Sequence, residues 1–342
     1  MKNGGTYVID SYSHQYLHNQ SSTHHTHLQE NVYNLKTNTP GPARHLIVTV
    51  EQLFKAKEGH YSWMGQLIRK SAFQKLLARI NVDEAHFIHT AGIKQHSVDP
   101  FRPAWGTVDE LQALLASSIP WHLFSATWPP HIRKTVESKI LRSNYVSIEI
   151  SSNRPNTIYA THEVVDNLAN VKNYECFLAT PFDLKKQPHI LIFTDKKDLA
   201  TTISNHLESC LPLEYQGKGI VMHYHSDMST EYLQRAHTSF MDPNSMCHVL
   251  VTTSGQSVGV DFPNVKIVCT AGLPETIVDA LQRGGRGIWV LSGDQDADTA
   301  LFVIFYEHWV HGINLDDYAN GDTLDPDRPR KDLMLKNPSA CE

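Results

Sequence analysis

The sequence lacks three features that would place it in a specialised class of protein. No apolar run approaches the ~18 residues of a membrane-spanning helix, and the first residues carry no signal-peptide core. No two cysteines form a C-x-x-C pair, so the spacing predicts neither a zinc site nor a disulfide framework. Positive charge is not in excess, because 30 Lys and Arg face 36 Asp and Glu for a formal net charge of −6. These absences predict an intracellular protein, in the nucleus or the cytoplasm, whose contact with nucleic acid would need a local basic patch.

The length of 342 residues and a 41% share of hydrophobic residues predict two globular domains. Residues 1–43 differ from the rest, since they are rich in His, Ser, Asn and Thr and have no apolar period. Within them "SSTHHTH" (21–27) either binds a metal ion or is a solvated low-complexity tract, and the second interpretation is favoured because nothing fixes its histidines. "TYVID" (6–10) has the composition of one strand. The predicted divisions after residue 43 are a partial first domain (44–147), a second domain (148–310) and a tail (311–342).

From residue 45 onward, short β-branched runs alternate with stretches of helical periodicity. Two helices are predicted over 195–211, with Asp195 as the N-cap, and over 229–240, with Ser229 as the N-cap. Strands that alternate with helices predict an α/β fold with parallel sheets. "SSNRPNTIYATH" (151–162) has a proline and no apolar period, so it is predicted to connect the two domains. The predicted strands are "HLIVTV" (45–50), "RINVD" (79–83), "WHLFSAT" (121–127), "HILIFTD" (189–195), "GIVMHYHS" (219–226), "HVLVTTS" (248–254), "VKIVCTAG" (265–272) and "TALFVIFY" (299–306).

The segment Asp83-Glu84-Ala85-His86 ends an apolar run where a buried strand would meet solvent. At the carboxyl edge of a parallel sheet, such an Asp points into the ligand crevice and can hold Mg²⁺ against nucleotide phosphates. Glu84 can orient or deprotonate a water, and His86 can sense bound phosphate. The alternative is a strand-to-helix turn in which two acids favour a helix N-terminus.

Further signals follow in order, each at the end of a predicted strand or in the loop beyond it. "SAT" (125–127) ends the next strand, and Thr253 ends a later one. Gly259 permits close approach of backbone to a ligand, and Asp261 follows it. The two arginines of "QRGGRG" (282–287) carry guanidinium groups that can reach a phosphate. Each piece alone is compatible with an ordinary loop, but their order favours a nucleotide-hydrolysing protein.

The order of these motifs resembles superfamily 2 helicases, and their details resemble the RecQ family. The resemblance covers about residues 44–310 and implies two RecA-like domains of the P-loop NTPase type, the first incomplete. It also implies that ATP and Mg²⁺ bind between the domains and that single-stranded or forked DNA crosses their surface. The implied activity is ATP-dependent 3′–5′ DNA unwinding, as used in recombination and repair in the nucleus. The motifs that carry the resemblance are "DEAH" (83–86), "FRPAW" (101–105), "SAT" (125–127), "NRPN" (153–156), "ILIFTD" (190–195), "YHSDMS" (224–229), "TTSGQSVGVD" (252–261) and "QRGGRG" (282–287).

Carried over position by position, the resemblance implies roles for individual residues. Asp83 would be the magnesium-side carboxylate and Glu84 the catalytic base. Ser125 and Thr127 would couple the nucleotide state to DNA. The other implied assignments are His86 in catalysis, Gly259 and Asp261 in nucleotide binding, Gln282 and Arg286 facing ATP from the second domain, and Thr49, Thr194, Lys196 and Thr253 contacting DNA.

The chain also departs from the family pattern. The phosphate-binding loop, G-x-x-x-x-G-K-[ST], occurs nowhere in it. Trp289 stands where the family has an arginine finger, a residue that typically contributes about 10³–10⁵ in rate. The segment 87–100 has Phe87 but lacks the Trp of the family's coupling loop. Without the strand that carries the phosphate loop, a neighbouring strand would have an unpaired edge, and "TYVID" is a candidate to pair with it.

These observations leave two functions in competition. The first is an ATP-dependent 3′–5′ DNA helicase of the RecQ kind, present as a truncated or degenerate copy. The second is a nucleic-acid-binding or interaction module without ATPase activity, since the missing parts carry most of phosphoryl-transfer catalysis. A nucleotide-binding switch unrelated to DNA is disfavoured, because "FRPAW" and "NRPN" have no role in it.

Overall fold

The computed structural model describes a set of segments of the chain, and the chain divides into two compact units, Met1–Ile150 and Ser151–Glu342. The domain limits drawn from the sequence stay predictions. None of the helices within the described segments is long and apolar enough to cross a membrane. The described residues are 6–9, for which the backbone alone is described, 32–34, 37, 39–56, 59–94, 99–151, 154–253, 262–288 and 299–313.

The first unit contains short strands that join in pairs. Strand β1 (Thr6–Ile9) runs parallel to β4 (His45–Val48), and β5 (Ile80–Val82) runs parallel to β6 (Trp121–Leu123). The short strands β2 (Tyr33–Asn34) and β3 (Thr39–Pro40) are antiparallel. The strand predicted for "TYVID" is therefore present, and it covers one side of β4.

Short helices pack around these strands. Helix α5 shows why these segments form helices. It begins at Pro130, whose fixed φ suits the first helical turn, and it buries Ile132 and Val136, which lie four residues apart on one face. The helices are α1 (Trp63–Leu67), α2 (Ser71–Gln74), α3 (Phe87–Thr90), α4 (Val108–Leu114) and α5 (Pro130–Lys139), with 3₁₀ turns at Val50–Leu53 and Pro103–Thr107.

The second unit is built on one six-stranded parallel sheet. Its strands are β7 (Thr157–Glu163), β8 (His189–Thr194), β9 (Val221–Tyr224), β10 (Val249–Thr252), β11 (Val265–Ala271) and β12 (Ala300–Tyr306). Their order across the sheet is β7-β12-β11-β8-β10-β9, and each neighbouring pair is parallel. All six residues of β8 are buried, which explains its unbroken apolar sequence.

Helices cover both faces of this sheet. Helix α6 (Lys197–Cys210) packs on the face that carries Ile190 and Ile192, whereas α7 (Thr230–Met241) packs on the face that carries Leu191 and Phe193. Helix α8 (Ile277–Gly284) follows β11, and 3₁₀ helices span Val171–Phe177 and His308–Gly312. The predicted α/β fold with parallel sheets is confirmed.

Three local predictions have clear outcomes. Ser229 caps α7 as predicted, because its hydroxyl accepts the N–H of Tyr232 at 3.2 Å. The N-cap prediction for α6 is wrong: Lys196 occupies the cap position, and Asp195 lies one residue earlier. Residues 157–162 were predicted as part of a connection but lie in edge strand β7 (Thr157–Glu163). Most of their side chains are exposed, which removed the apolar alternation that would have identified a strand.

Candidate functional site

The carboxylates Asp83 and Glu84 lie in a tight turn at the carboxyl end of β5. Glu84 has a left-handed φ of 49°, and its N–H donates to the Asp83 Oδ1 at 2.9 Å. The next N–H, of Ala85, donates to the carbonyl of Phe124 at 2.8 Å and fixes the turn against the segment after β6. Asp83 is exposed and Glu84 is half-buried. The turn therefore presents an accessible carboxylate of the kind that Mg²⁺ prefers.

A buried hydrogen-bond chain joins this turn to the "SAT" segment. The ring of His86 has no exposed surface, and its Nδ1 lies 2.9 Å from the Ser125 Oγ and 3.3 Å from the Glu84 Oε2. The Ser125 hydroxyl donates to the carbonyl of Thr127 at 2.8 Å and accepts the Thr127 N–H at 3.1 Å. Since the one hydroxyl hydrogen is already used, Ser125 accepts from His86, and His86 carries its proton on Nδ1.

The charge state of His86 agrees with this arrangement. Burial lowers its pKa to about 4, and the negative charge of Asp83 opposes that effect only in part. His86 is therefore neutral near pH 7 and acts as a fixed hydrogen-bond donor. A displacement of Glu84 or His86 would be transmitted directly to Ser125.

The "FRPAW" segment braces the same region. Arg102 donates from Nε and Nη2 to the two carboxylate oxygens of Glu51 at 2.7 and 2.8 Å. Burial alone would raise the pKa of Glu51, but the hydrogen bonds and charge of Arg102 lower it. The ring of Trp105 packs edge-on against Phe87, which directly follows His86, at 5.7 Å between centroids. The segment thus connects the start of α3 to the 3₁₀ turn Val50–Leu53, which directly follows the predicted DNA contact Thr49. The role of Glu51 was not visible in the sequence.

In the second unit, three predicted DNA contacts lie at the carboxyl ends of two neighbouring strands, which form one edge of the sheet. Thr194 ends β8, and Thr253 directly follows the neighbouring strand β10. Because Thr252 pairs with Phe193, Thr253 and Thr194 lie level with each other. Thr194 is fully buried, and its Oγ1 accepts the N–H of Lys196 at 3.3 Å, whereas Lys196 is exposed. The accessible surface at this edge therefore comes from Lys196 and Thr253.

Arg283 holds α8 against the end of β8. Its guanidinium is 2% exposed and donates from Nε to the Asp279 Oδ1 at 3.0 Å and from Nη2 to the Asp195 Oδ1 at 2.8 Å. The ring of Phe193 lies 5.6 Å from the guanidinium carbon. Burial raises the pKa of Asp279, and the charge of Arg283 acts in the opposite direction. The guanidinium of Arg283, expected from the sequence to be able to reach a phosphate, is instead enclosed by protein groups.

The predicted ATP-facing residues Gln282 and Arg286 lie at the end of α8 and are half-buried. The segment just beyond them is braced by the "NRPN" motif. Arg154 donates from Nη1 to the carbonyl of Gly287 at 3.5 Å, and Asn156 donates from Nδ2 to the carbonyl of Ile288 at 3.1 Å. Two elements of the predicted site are thereby held together across more than 130 residues of sequence.

The structure brings the predicted residues together in three groups, one in the first unit and two in the second. Asp83, Glu84, His86, Ser125 and Thr127 form a connected cluster in the first unit. Thr194, Lys196 and Thr253 share a sheet edge in the second unit, and Gln282 and Arg286 share the end of α8. Gly259, Asp261 and Trp289 lie outside the described residues.

The chain is similar to helicases in both sequence and structure. The family model "Helicase conserved C-terminal domain" matches residues 171–288. The chain is 28% identical over 219 residues to the ATP-dependent RNA helicase DBP3 of Yarrowia lipolytica, with 60% of the chain aligned. It is 24% identical over 239 residues to the RecQ-like DNA helicase BLM of Xenopus laevis, with 69% of the chain aligned. The chain spans 37% of the length of the first relative and 15% of the second.

Solved structures give the same fold. The Dbp5 structure from S. cerevisiae, bound to RNA and ADP BeF3, aligns with a TM-score of 0.54 at 16% identity, over 99% of this chain and 74% of that one. The helicase MrfA bound to DNA aligns with a TM-score of 0.61 at 11% identity, over 96% of this chain and 42% of that one. The predicted RecA-like fold is therefore confirmed. Residues 171–288 thus match the helicase conserved C-terminal domain, and the chain shares its fold with these helicase structures.

Proposed function

We propose that this chain is the nucleotide-responsive, single-strand-binding part of a RecQ-like 3′–5′ DNA helicase. The observation that carries the proposal is the buried chain from Glu84 through His86 to Ser125 and Thr127. This hydrogen-bond chain keeps the buried ring of His86 paired, which avoids the free-energy cost of an unpaired buried polar group. It links the acids that would face a nucleotide to the segment that would respond to nucleic acid.

The choice of DNA over RNA rests on two motifs that form contacts in the structure. Arg102 of "FRPAW" forms the forked ion pair with Glu51, and Arg154 and Asn156 of "NRPN" brace the end of the α8 motif. Both motifs resemble those of RecQ proteins. An RNA-directed function is the competing proposal, because several sequence relatives of the chain carry the name of the ATP-dependent RNA helicase DBP3.

Asp83 and Glu84 fit Mg²⁺-bound ATP by the chemistry of their donors, since Asp83 is an exposed carboxylate at a strand end. When bound, Mg²⁺-ATP supplies the phosphoryl group that passes to water. Glu84 would accept the proton of that water, and its backbone N–H binds the Asp83 carboxylate within the same left-handed turn. His86 would keep Ser125 hydrogen-bonded to the turn that carries Asp83 and Glu84. Gln282, Arg286, Gly259 and Asp261 remain predicted nucleotide contacts of the second unit.

A second function, binding without hydrolysis, is favoured by the sequence itself. The chain contains no G-x-x-x-x-G-K-[ST] motif, and Trp289 stands at the arginine-finger position. In that case the His86 chain would respond to nucleic acid alone, and the protein would act as an interaction module.

Fluorescence anisotropy with single-stranded DNA and RNA of the same sequence tests the nucleic-acid proposal. We expect tighter DNA binding that weakens as salt rises, because cations on the protein displace counterions from phosphates. Lys196→Ala should weaken binding and lower the salt slope by ~1. The matched control is Lys186→Ala, since Lys186 lies in the loop at the opposite end of β8 and pairs loosely with Asp183. Binding that is insensitive to salt, or equally affected by both variants, would contradict the proposal.

Phosphate release from ATP separates the helicase from the non-hydrolysing module. The helicase proposal expects release that rises on addition of single-stranded DNA and that disappears in Glu84→Gln, while an ATP analogue still binds that variant. If release never exceeds the Glu84→Gln background although DNA binds, the module is correct. Preference for RNA in both assays would replace DNA by RNA as the partner.

A further inference from the structure

We propose that the second unit carries a site for a transition-metal ion, of the zinc class, formed by Glu175, His206 and Cys210. One ligand atom from each residue lies within 4.8 Å of the other two. The site is on the α6 side of the sheet and shares no residue with the predicted nucleotide and nucleic-acid contacts. The cysteine spacing in the sequence predicts no zinc site, because the ligands come from two separate helices.

Two of the ligands share one face of a rigid helix. His206 and Cys210 are four residues apart in α6, so their side chains project from the same face. The core stripe of that helix, Ala200, Ile203 and Leu207, is fully buried and fixes the rotation of the helix. His206 lies at the boundary of this stripe and is 24% exposed, whereas Cys210 is exposed.

The third ligand is presented by a separate element that is equally fixed. Glu175 lies in the 3₁₀ helix Val171–Phe177 between two buried aromatic residues, Tyr174 and Phe177. The hydroxyl of Tyr174 also donates to the carbonyl of Leu168 at 2.9 Å. The 3₁₀ helix packs against α6, so the carboxylate reaches His206 without an extended, mobile loop.

A cation would engage all three ligand atoms of the cluster at once, which hydrogen bonding through the single His206 nitrogen does not. The His206 Nε2 lies 2.9 Å from the Glu175 Oε1 and 3.6 Å from the Cys210 Sγ. A neutral imidazole nitrogen either donates one hydrogen or accepts one, so it cannot donate to the carboxylate and accept from the thiol at once. A metal ion in the centre would accept electron pairs from all three atoms, with the thiol giving up its proton to solvent on binding.

Two of the three ligand distances are close to those of a tetrahedral zinc site, and the third, between Glu175 and Cys210, lies within 4.8 Å. With ordinary zinc bond lengths, tetrahedral geometry separates a nitrogen from a sulfur ligand by about 3.6 Å and from an oxygen ligand by about 3.3 Å. The nitrogen–sulfur distance of 3.6 Å already matches, and the nitrogen–oxygen distance of 2.9 Å needs to open slightly. One thiolate, one imidazole and one carboxylate favour Zn²⁺ over Mg²⁺ or Ca²⁺, and water would fill the fourth position.

Cobalt titration of the full chain under a non-thiol reductant tests the proposal. Co²⁺ bound to a thiolate gives a sulfur-to-metal charge-transfer band in the near ultraviolet, and histidine-only sites such as "SSTHHTH" give none. We expect one equivalent of Co²⁺ to produce this band and Zn²⁺ to abolish it. Cys210→Ser should remove the band, and His206→Ala and Glu175→Gln should weaken Co²⁺ binding by ~10-fold or more, in line with the effect of lost ligand support.

Matched controls make the assignment specific. Cys176 is adjacent to Glu175 and also exposed, but its Sγ donates to the carbonyl of Asn173 at 3.4 Å. Cys176→Ser should therefore keep the band, as should Cys341→Ser. His308→Ala tests the separate exposed group of Glu163, His308 and His311, and it should also keep the band. A wild-type chain without the band, or a band that survives Cys210→Ser and is lost in Cys176→Ser, would overturn the proposal. Circular dichroism of each variant would verify that it is folded.

Discussion

Two arginines of one motif are expected to serve opposite purposes, and this expectation can be tested by changing them in parallel. Arg283 is enclosed and contacts two carboxylates, whereas Arg286 is half-buried at the end of the same helix. We predict that Arg283→Met mainly destabilises the second unit. Arg286→Met should destabilise it less and should instead affect the nucleotide response of the protein.

The magnitude follows from what Arg283→Met leaves behind. Removing one partner of a buried ion pair costs ~3–5 kcal/mol, because the remaining charge stays buried without compensation. Here two carboxylates remain, Asp195 at 26% and Asp279 at 21% side-chain exposure. Burial already raises the pKa of Asp279 in the presence of Arg283. A loss of ~3 kcal/mol is therefore expected, equivalent to a fall in melting temperature of about 6–12 °C.

Chemical denaturation of the wild type and of each variant, followed by circular dichroism, measures this loss. The test becomes sharper with a second substitution, because Asp279→Asn neutralises one of the stranded carboxylates. The double variant Arg283→Met, Asp279→Asn should recover ~1–2 kcal/mol of the loss. The penalty of Arg283→Met should also shrink as pH falls toward 4, since protonation relieves the unpaired acids. Equal stability of Arg283→Met and Arg286→Met, or no recovery in the double variant, would refute the reasoning.

Three further predictions concern the His86 cluster, acid stability and a close glycine contact. Ser125→Ala removes the acceptor of the His86 Nδ1–H, so the free energy of unfolding in urea should fall by ~1–3 kcal/mol; an unchanged midpoint would argue against the chain. The pKa of His86 is about 4 in the folded protein and 6.5 in the unfolded chain, so its contribution to stability is fully present above pH 6.5 and is lost as pH falls to about 4. The expected loss in the free energy of unfolding is up to ~3 kcal/mol, and His189 acts in the same direction. A free energy of unfolding that stays constant over this pH range would contradict the prediction. Gly287→Ala places a Cβ 2.9 Å from that of Ala300 and should cost ~1–3 kcal/mol in thermal unfolding, whereas Gly312→Ala, which meets nothing within 4 Å, should be neutral.

The apolar runs in the sequence predicted the interior strands of the second unit correctly, because these strands are buried on both faces. The run at 189–194 is apolar at every position but its ends, and its burial is complete, so the pattern and the environment agree. Edge strand β7 shows the opposite case. Its exposed positions include Ile158 and Tyr159, which point to opposite faces of the sheet, so solvent reaches both faces and burial imposes no apolar alternation on the sequence. The first unit was harder for a related reason, since its strands are short and join in pairs.

The candidate site was visible in the sequence only as an ordered series of residues at strand ends. That order was sufficient to place Asp83 and Glu84 at the end of β5, and Thr194 and Thr253 at the ends of two later strands. It did not show which of these side chains are accessible to a ligand. Thr194 is buried, and Arg283 is enclosed by Asp195, 88 residues away, and by Asp279. An ion pair over such a distance leaves no local signal.

The sequence by itself determined the alternation of strands and helices, the capping of α7 by Ser229 and the order of the motifs, because these depend on neighbouring residues. Only the tertiary structure decided that His86 is a neutral donor to Ser125, that Asp195 pairs with Arg283, and that Glu175 meets a helix carrying a histidine and a cysteine. Each of these depends on the convergence of distant segments, since burial and the identity of a charged partner arise only when the chain is folded.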